Sequence, residues 1–432
     1  MIRRVIDFVN GNAFTRNSIV LFSGTMVANI LNYAFHVVIG RIVDVPTYGE
    51  IESLLALTAI ISVPSLAITL AATRFGGEMF SQNAVTQSRV FLHYIQYKIF
   101  TIGSVVFILA VICTPWVRSF LRLEHSMPLV FLWTTMFITF FVSATTGMLS
   151  GWQKFHAVGA LNVISAALKL ILGVVLIIAG FGAGGAMGAL ALSAVVTYGA
   201  SMVFLRFLST QKESSEVADI NIVRENIQKF RTYIVPVFVG SLAITILGNI
   251  DMVFAKNALD GMASGQYGAL SVVGKIIFFA TGVIATVMFS MTSGAHNDTA
   301  ATRRIFSVAF ILTALCCGIA LAVYVSAPQW VMSLLFGDKY TAVASYLGWF
   351  GVLAALYAFV NLILQYLLSV QYIRIAYYYL GIAFATIGLL FLFGKDFRGI
   401  LEVMGGMQAI AIGIGGICIY RLHRLRVNNC NR

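Results

Sequence analysis

Long apolar runs alternate with short polar breaks along almost the whole chain. Runs long enough to cross a bilayer, about 20 residues each, fall at roughly 18–39, 51–72, 92–113, 127–149, 160–180, 182–205, 232–257, 268–292, 305–327, 343–368, 372–393 and 399–420. The pattern predicts twelve membrane helices. Between the sixth and seventh runs lies STQKESSEVADINIVRENIQKFR, the one long polar stretch, with four acids and a cluster of bases. The predicted organisation is therefore a basic amphipathic lead (1–17), a six-helix lobe (18–205), a linker (206–231), a second six-helix lobe (232–420) and a basic tail (421–432).

The halves carry matching dipeptides at equivalent places. Tyr48-Gly49 and Tyr267-Gly268 share an offset of 219, as do Leu149-Ser150 and Leu368-Ser369. An even number of helices per half makes the repeats parallel, and a substrate site is expected where two such repeats meet. The fold class is an all-α integral membrane protein with twelve transmembrane helices in two six-helix lobes around a central cavity.

Composition agrees and excludes a soluble enzyme. Of 432 residues, 59% are hydrophobic and 10% charged, with a mean hydropathy of +0.91, against about 25% charged in soluble domains. The net charge of +12 has to be divided by membrane side before it implies a partner. With the N-terminus placed inside, eighteen Lys and Arg fall on the inner side and seven on the outer, and Lys98, Lys169 and Lys275 lie within apolar runs. Both termini are thus expected in the cytoplasm, with no nucleic-acid partner. Five dispersed cysteines and six scattered histidines form no CxxC or HExxH pattern, so no metal or cofactor is expected. GFGAGG at 180–185 reads as a tight turn between spans, and the Asn297-Asp298-Thr299 sequon falls on the predicted cytoplasmic side.

Polar residues inside the spans mark candidate chemistry. Thr25, Asn29, Asn32 and His36 form one stripe of the first helix at spacings of 4, 3 and 4, a face suited to a wet cavity. Lys169 stands about twelve residues into the fifth helix, ~18 Å deep at 1.5 Å per residue, too far for snorkelling. It must face protein or water. Lys275 is shallower, and a lumen role stands beside snorkelling or pairing with Asp251. Asp251 is the only acid expected within a span, a candidate coupling site or a structural partner. Because the deep charges are basic, an anionic substrate is favoured.

Four stretches carry a family resemblance: FHVVIGRIVDVPTYGEIESLLAL, LAATRFGGEM, GMLSGWQKFHAVGALNVI and NIDMVFAKNALDGMASGQYGAL. They resemble their counterparts in the polysaccharide-transport branch of the multidrug/oligosaccharidyl-lipid/polysaccharide (MOP) exporter superfamily, the bacterial oligosaccharide flippases. The resemblance implies two lobes alternating between inward and outward openings around a cationic cavity. It also implies an undecaprenyl-diphosphate-linked oligosaccharide as cargo, residence in the bacterial inner membrane among membrane lipids, and polysaccharide-assembly proteins as partners. Arg41, Arg74 and Lys256 sit where the family places basic residues, which would put them near the path. A drug or cation antiporter of the same superfamily is the alternative. A membrane glycan polymerase or ligase is disfavoured by short predicted outer loops.

Overall fold

The computed structural model describes residues 13–210, 220–294 and 299–430, and every regular element among them is helical. The lead through residue 12, linker residues 211–219 and the Asn297-Asp298 pair lie outside the described residues. In chain order the helices are α1 (Ala13–Ile42), α2 (Val45–Ile61), α3 (Val63–Ser81), α4 (Val85–Phe120), α5 (Met127–Gly151), α6 (Phe155–Leu176), α7 (Gly182–Phe204) and the short α8 (Phe207–Thr210). They continue with α9 (Ile220–Ala258), α10 (Gly261–Gly294), α11 (Thr299–Ser326), the short α12 (Pro328–Phe336), α13 (Leu347–Ser369), α14 (Arg374–Phe393) and α15 (Phe397–Cys430).

Ten helical stretches are long and apolar enough to span a bilayer by length and composition. The pair α2 and α3, bent by 42° at Ser62, supplies an eleventh. The 50-residue stretch Phe155–Phe204 would be ~75 Å long as one helix, so it is two spans. Its break falls at Gly180 and Gly182, whose φ values of 91° and 49° only glycine adopts readily. Twelve spans result among the described residues, with the GFGAGG motif as a turn between two of them. Exposed apolar residues line the flanks, as on α4, where Ile102, Val105, Ile108 and Ile112 recur at helical spacing with more than half their surface open. Such a stripe suits lipid rather than water.

The chain forms two compact units, Met1–Val43 with Pro64–Ile234 and Asp44–Val63 with Val235–Arg432. This departs from the contiguous lobes expected from the sequence at one place: α2 belongs to the second unit while the helices on both sides of it in the chain belong to the first. The reason is local. Asp44 caps α2, its carboxylate accepting from the Thr47 backbone N–H at 3.2 Å, and Pro46 sits in the first turn, where its missing N–H costs nothing. Pro64 lies in the first turn of α3, where the 42° bend separates it from α2, since a proline cannot donate to the carbonyl four residues back.

The earlier start of α2, six residues before the predicted run, changes one further expectation. Glu52 is not at a helix end but two turns inside α2, and only 6% exposed. The second unit therefore holds a second buried acid besides Asp251. The stretch between α11 and α13 is also more ordered than a plain outer loop: α12 is followed by a 3-10 segment, Asp338–Tyr346.

Candidate functional site

In the first unit α1 and α6 run side by side, and glycine sets their separation. A Cβ on Gly24 would stand 2.9 Å from the Gly159 Cα, so the two backbones touch three turns into α1 and one turn into α6. Ten residues further along α6 comes Lys169, with Gly173 one turn beyond. A Cβ on Gly173 would come within 2.7 Å of the Phe35 ring; the missing side chain is the space that the ring occupies. Phe35 is wholly buried, the Lys169 Nζ stands 4.4 Å from its ring centre, and His36 meets it edge-on at 5.9 Å.

This geometry accounts for the deep lysine. Holding an ammonium at the centre of a span costs roughly 2.5–3.5 kcal/mol on insertion scales, and a cation–π contact returns about 0.5–2 kcal/mol according to its exposure. The ring offsets part of the cost. Lys169, His36 and Asn32 are half-buried and Asn29 is exposed; the ammonium and the imidazole meet at one aromatic ring, and the two amides lie further back along α1 at helical spacing from His36. Arg41, in the last turn of α1, and Arg74, on α3, are exposed in the same unit. Such cations can hold an anion through charge-assisted hydrogen bonds.

In the second unit the polar residues converge on α9, α10, α13 and α15. Lys275 donates to Asn249 Oδ1 at 3.1 Å, while Asn249 Nδ2 donates to the Thr245 carbonyl at 2.9 Å. The Tyr267 hydroxyl donates to Asp251 Oδ2 at 3.0 Å. Lys275 is thus partnered by an amide rather than by Asp251. Asp251 is 7% exposed, and its Oδ1 has no donor among the described residues, nor has the Oε1 of buried Gln408. Both residues line a cavity of about 40 Å³ with Ser271, Gly274, Lys275 and Tyr357, room enough for water. The arrangement can bind a proton or a small donor.

Lys256 lies elsewhere. It is 5% exposed and forms an ion pair with Glu50 of α2 at 3.4 Å. Lys98, exposed, reaches the Tyr94 ring at 5.7 Å. Of the residues singled out from sequence, Lys169 and His36 meet at the Phe35 ring, Lys275 and Asp251 line one cavity, and Lys256 is in an ion pair of its own; Arg41 and Arg74 are exposed on α1 and α3. Phe35, Gly173, Asn249, Tyr267 and Gln408 complete the clusters and were not singled out as site residues. Gln408 carried a signal, as the one amide in its apolar run; Phe35 carried none.

The profile of the polysaccharide biosynthesis protein family matches residues 14–296, more than half of the chain. The chain belongs to that family. No curated protein matches it. Among solved structures, the inward-facing conformation of a multidrug resistance MATE family transporter of the MOP superfamily is similar with a TM-score of 0.74 at 15% identity, covering 94% of this chain and 99% of that one. The outward-facing conformation of such a transporter gives 0.62 at 18% identity, covering 96% of each chain. A MOP superfamily transporter from Pyrococcus furiosus, described by a reverse polarity of its binding pocket, gives 0.56 at 16% identity over 96% and 95%. The fold of this polysaccharide biosynthesis protein is that of the MOP transporters.

Proposed function

We propose that this protein is a flippase that carries a lipid-linked, anionic oligosaccharide across the bacterial cytoplasmic membrane, from the inner to the outer leaflet, for surface polysaccharide synthesis. The observation that carries the reading is the Lys169–Phe35–His36 cluster, a cation held deep in a span by an aromatic ring and flanked by amides, in a chain of the polysaccharide biosynthesis family. The positive charge beside the Phe35 ring would attract an incoming oxygen anion.

In this reading Lys169, with Arg41 and Arg74, attracts the diphosphate or acidic sugars, while Asn29, Asn32 and His36 offer neutral hydrogen bonds to the glycan. The isoprenoid tail stays in the bilayer, so only the polar head needs a hydrated route. In the second unit Lys275 serves the same path, and Asp251 with its cavity is the coupling candidate. Lys256, expected near the path from the family resemblance, is better read as the partner of Glu50. Both termini are cytoplasmic on the charge count, which puts the Tyr48 end of α2 at the outer face.

The experiment is removal of the protein from cells. A lipid-linked glycan should accumulate on the inner leaflet and return to its normal distribution on re-expression; unchanged glycan distribution would contradict the reading.

A further inference from the structure

The short helix α12 and the 3-10 segment after it, Asp338–Tyr346, form a polar groove at the Tyr48 end of the second unit. Gly337, with a φ of 84°, makes the turn between them in a conformation that only glycine adopts readily. The turn is anchored from below. Phe336 and Tyr340 are wholly buried, their rings 5.5 Å apart and 5.5 and 5.9 Å from the Tyr48 ring. Packed rings hold the floor of the groove in one shape, which a binding surface on a connecting segment requires.

The groove encloses about 600 Å³, within the range of roughly 300–1,000 Å³ for small-molecule sites. Its lining is unlike the apolar walls of most such sites. Gln329, Trp330, Ser333, Asp338, Thr341 and Ala342 surround it, so four of the six side chains are polar and none is aliphatic beyond a methyl group. Trp330 is 61% exposed and keeps a bare ring face. A tryptophan that only anchors a helix at the lipid headgroups needs apolar neighbours on its ring side; this one shares its groove with an amide, a carboxylate and two hydroxyls. The Ser333 and Thr341 hydroxyls donate to the Trp330 and Asp338 carbonyls at 3.4 and 2.7 Å, which leaves their oxygens as acceptors. The Gln329 amide, the Asp338 carboxylate and the Trp330 indole N–H have no hydrogen-bond partner among the described residues.

These groups select a ligand. A bare ring face bordered by acceptors and an amide suits a molecule with a C–H face and a rim of O–H donors, which is the form of a pyranose. The one charged side chain of the lining is a carboxylate, which repels phosphate and acidic sugars but accepts from neutral hydroxyls. We infer that the α12 groove is a saccharide subsite for neutral hexose units, with the Trp330 ring stacked on the C–H face of the sugar and Asp338 and Gln329 bound to its hydroxyls. Its chemistry is the opposite of the Lys169 cluster, which suits the charged end of a lipid-linked glycan. In the proposed topology the Tyr48 end of the second unit faces outside, where a glycan emerges; this role rests on the flippase reading, and the sugar recognition does not.

Binding of maltotriose and of chitotriose, each at millimolar concentration, to the full chain in a detergent without a sugar headgroup tests the subsite. Saturation transfer from protein to sugar protons is the readout. The parent should show transfer to at least one of the two sugars. Trp330→Ala and Asp338→Ala should each weaken binding about tenfold, and Trp330→Phe should retain part of it. Both residues are exposed, so the replacements leave the core intact. Trp349→Ala, at a tryptophan 65% exposed on α13 and outside the groove, is the control and should change nothing.

No transfer from the parent to either sugar, or equal binding by Trp330→Ala, overturns the subsite. Leaflet transfer of the lipid-linked glycan, measured on the same preparations, separates this outcome from failure of the flippase reading. A parent that transports glycan but binds neither sugar leaves that reading standing without the subsite. Sugar binding that depends on Trp330, in a parent that moves no glycan, leaves the subsite standing and contradicts the flippase reading.

Discussion

The ammonium of Lys169 stands 4.4 Å from the centre of the Phe35 ring, and the ring lies where Gly173 has no side chain. The glycine makes room for the ring, and the ring faces the half-buried cation. Phe35→Leu should lower stability by about 1–2 kcal/mol, and a double-mutant cycle with Lys169→Met should return a coupling energy of similar size. Lys169→Met alone should fold as well as the parent, because an apolar chain of similar volume replaces a half-buried charge within an apolar span. Lys169→Arg should keep part of the transport and Lys169→Ala none. Thermal unfolding in detergent and glycan transport in vesicles measure the two effects separately.

Gly265→Ala should be far more damaging than its one added methyl suggests. The new Cβ would meet the Val45 backbone carbonyl, which cannot rotate away as a side chain would, so α2 must move off α10 or shift along it. A loss of about 1–3 kcal/mol is expected. Gly282→Ala, on the same helix with nothing near it, is the control and should be neutral or slightly stabilising.

Tyr267→Phe removes the only hydrogen-bond donor that the described residues give Asp251. A buried carboxyl left without it should cost about 1–3 kcal/mol. Asp251→Asn keeps an oxygen for the Tyr267 hydroxyl and should preserve stability while abolishing any dependence of transport on an ion gradient. Equal gradient dependence in the Asn variant would remove Asp251 from coupling.

The cap of α2 gives a pH dependence. Burial alone would raise the Asp44 carboxyl; the Thr47 hydrogen bonds and the Lys339 charge outweigh it, so the value lies below that of an ordinary aspartate. A group depressed in the folded state stabilises above its unfolded value, near 4, and that contribution disappears as pH falls through the lower folded value. The unfolding temperature in detergent should accordingly fall below about pH 4, and Asp44→Ala should remove the Asp44 share of that fall while costing about 1 kcal/mol at neutral pH.

Much of this architecture was legible in the sequence because lipid enforces it. Twelve spans follow from twelve apolar runs, and the turn at Gly180 from a glycine cluster between two of them. What hydropathy could not convey was partnership. Lys169 was visible as a charge at depth, yet Phe35 is one of 33 phenylalanines and differs from the rest only by what stands across from it. Gly173 likewise matters through an absent atom. The assignment of α2 to the second unit was hidden because connectivity and packing disagree there: the chain passes out through Asp44 and back at Pro64, and only contacts reveal it. Glu52 was misplaced for a related reason, since the helix begins at its cap and not at its first apolar run.

The central claim is most directly tested by leaflet-resolved transport. Purified protein is reconstituted in vesicles carrying an undecaprenyl-diphosphate-linked oligosaccharide, and the glycan reaching the opposite leaflet is measured with an impermeant glycan-modifying enzyme. The account predicts protein-dependent transfer that Lys169→Ala abolishes and Lys169→Arg partly retains, at equal amounts of folded protein. Transfer by Lys169→Ala at the parent rate, or no transfer by the parent, would contradict it.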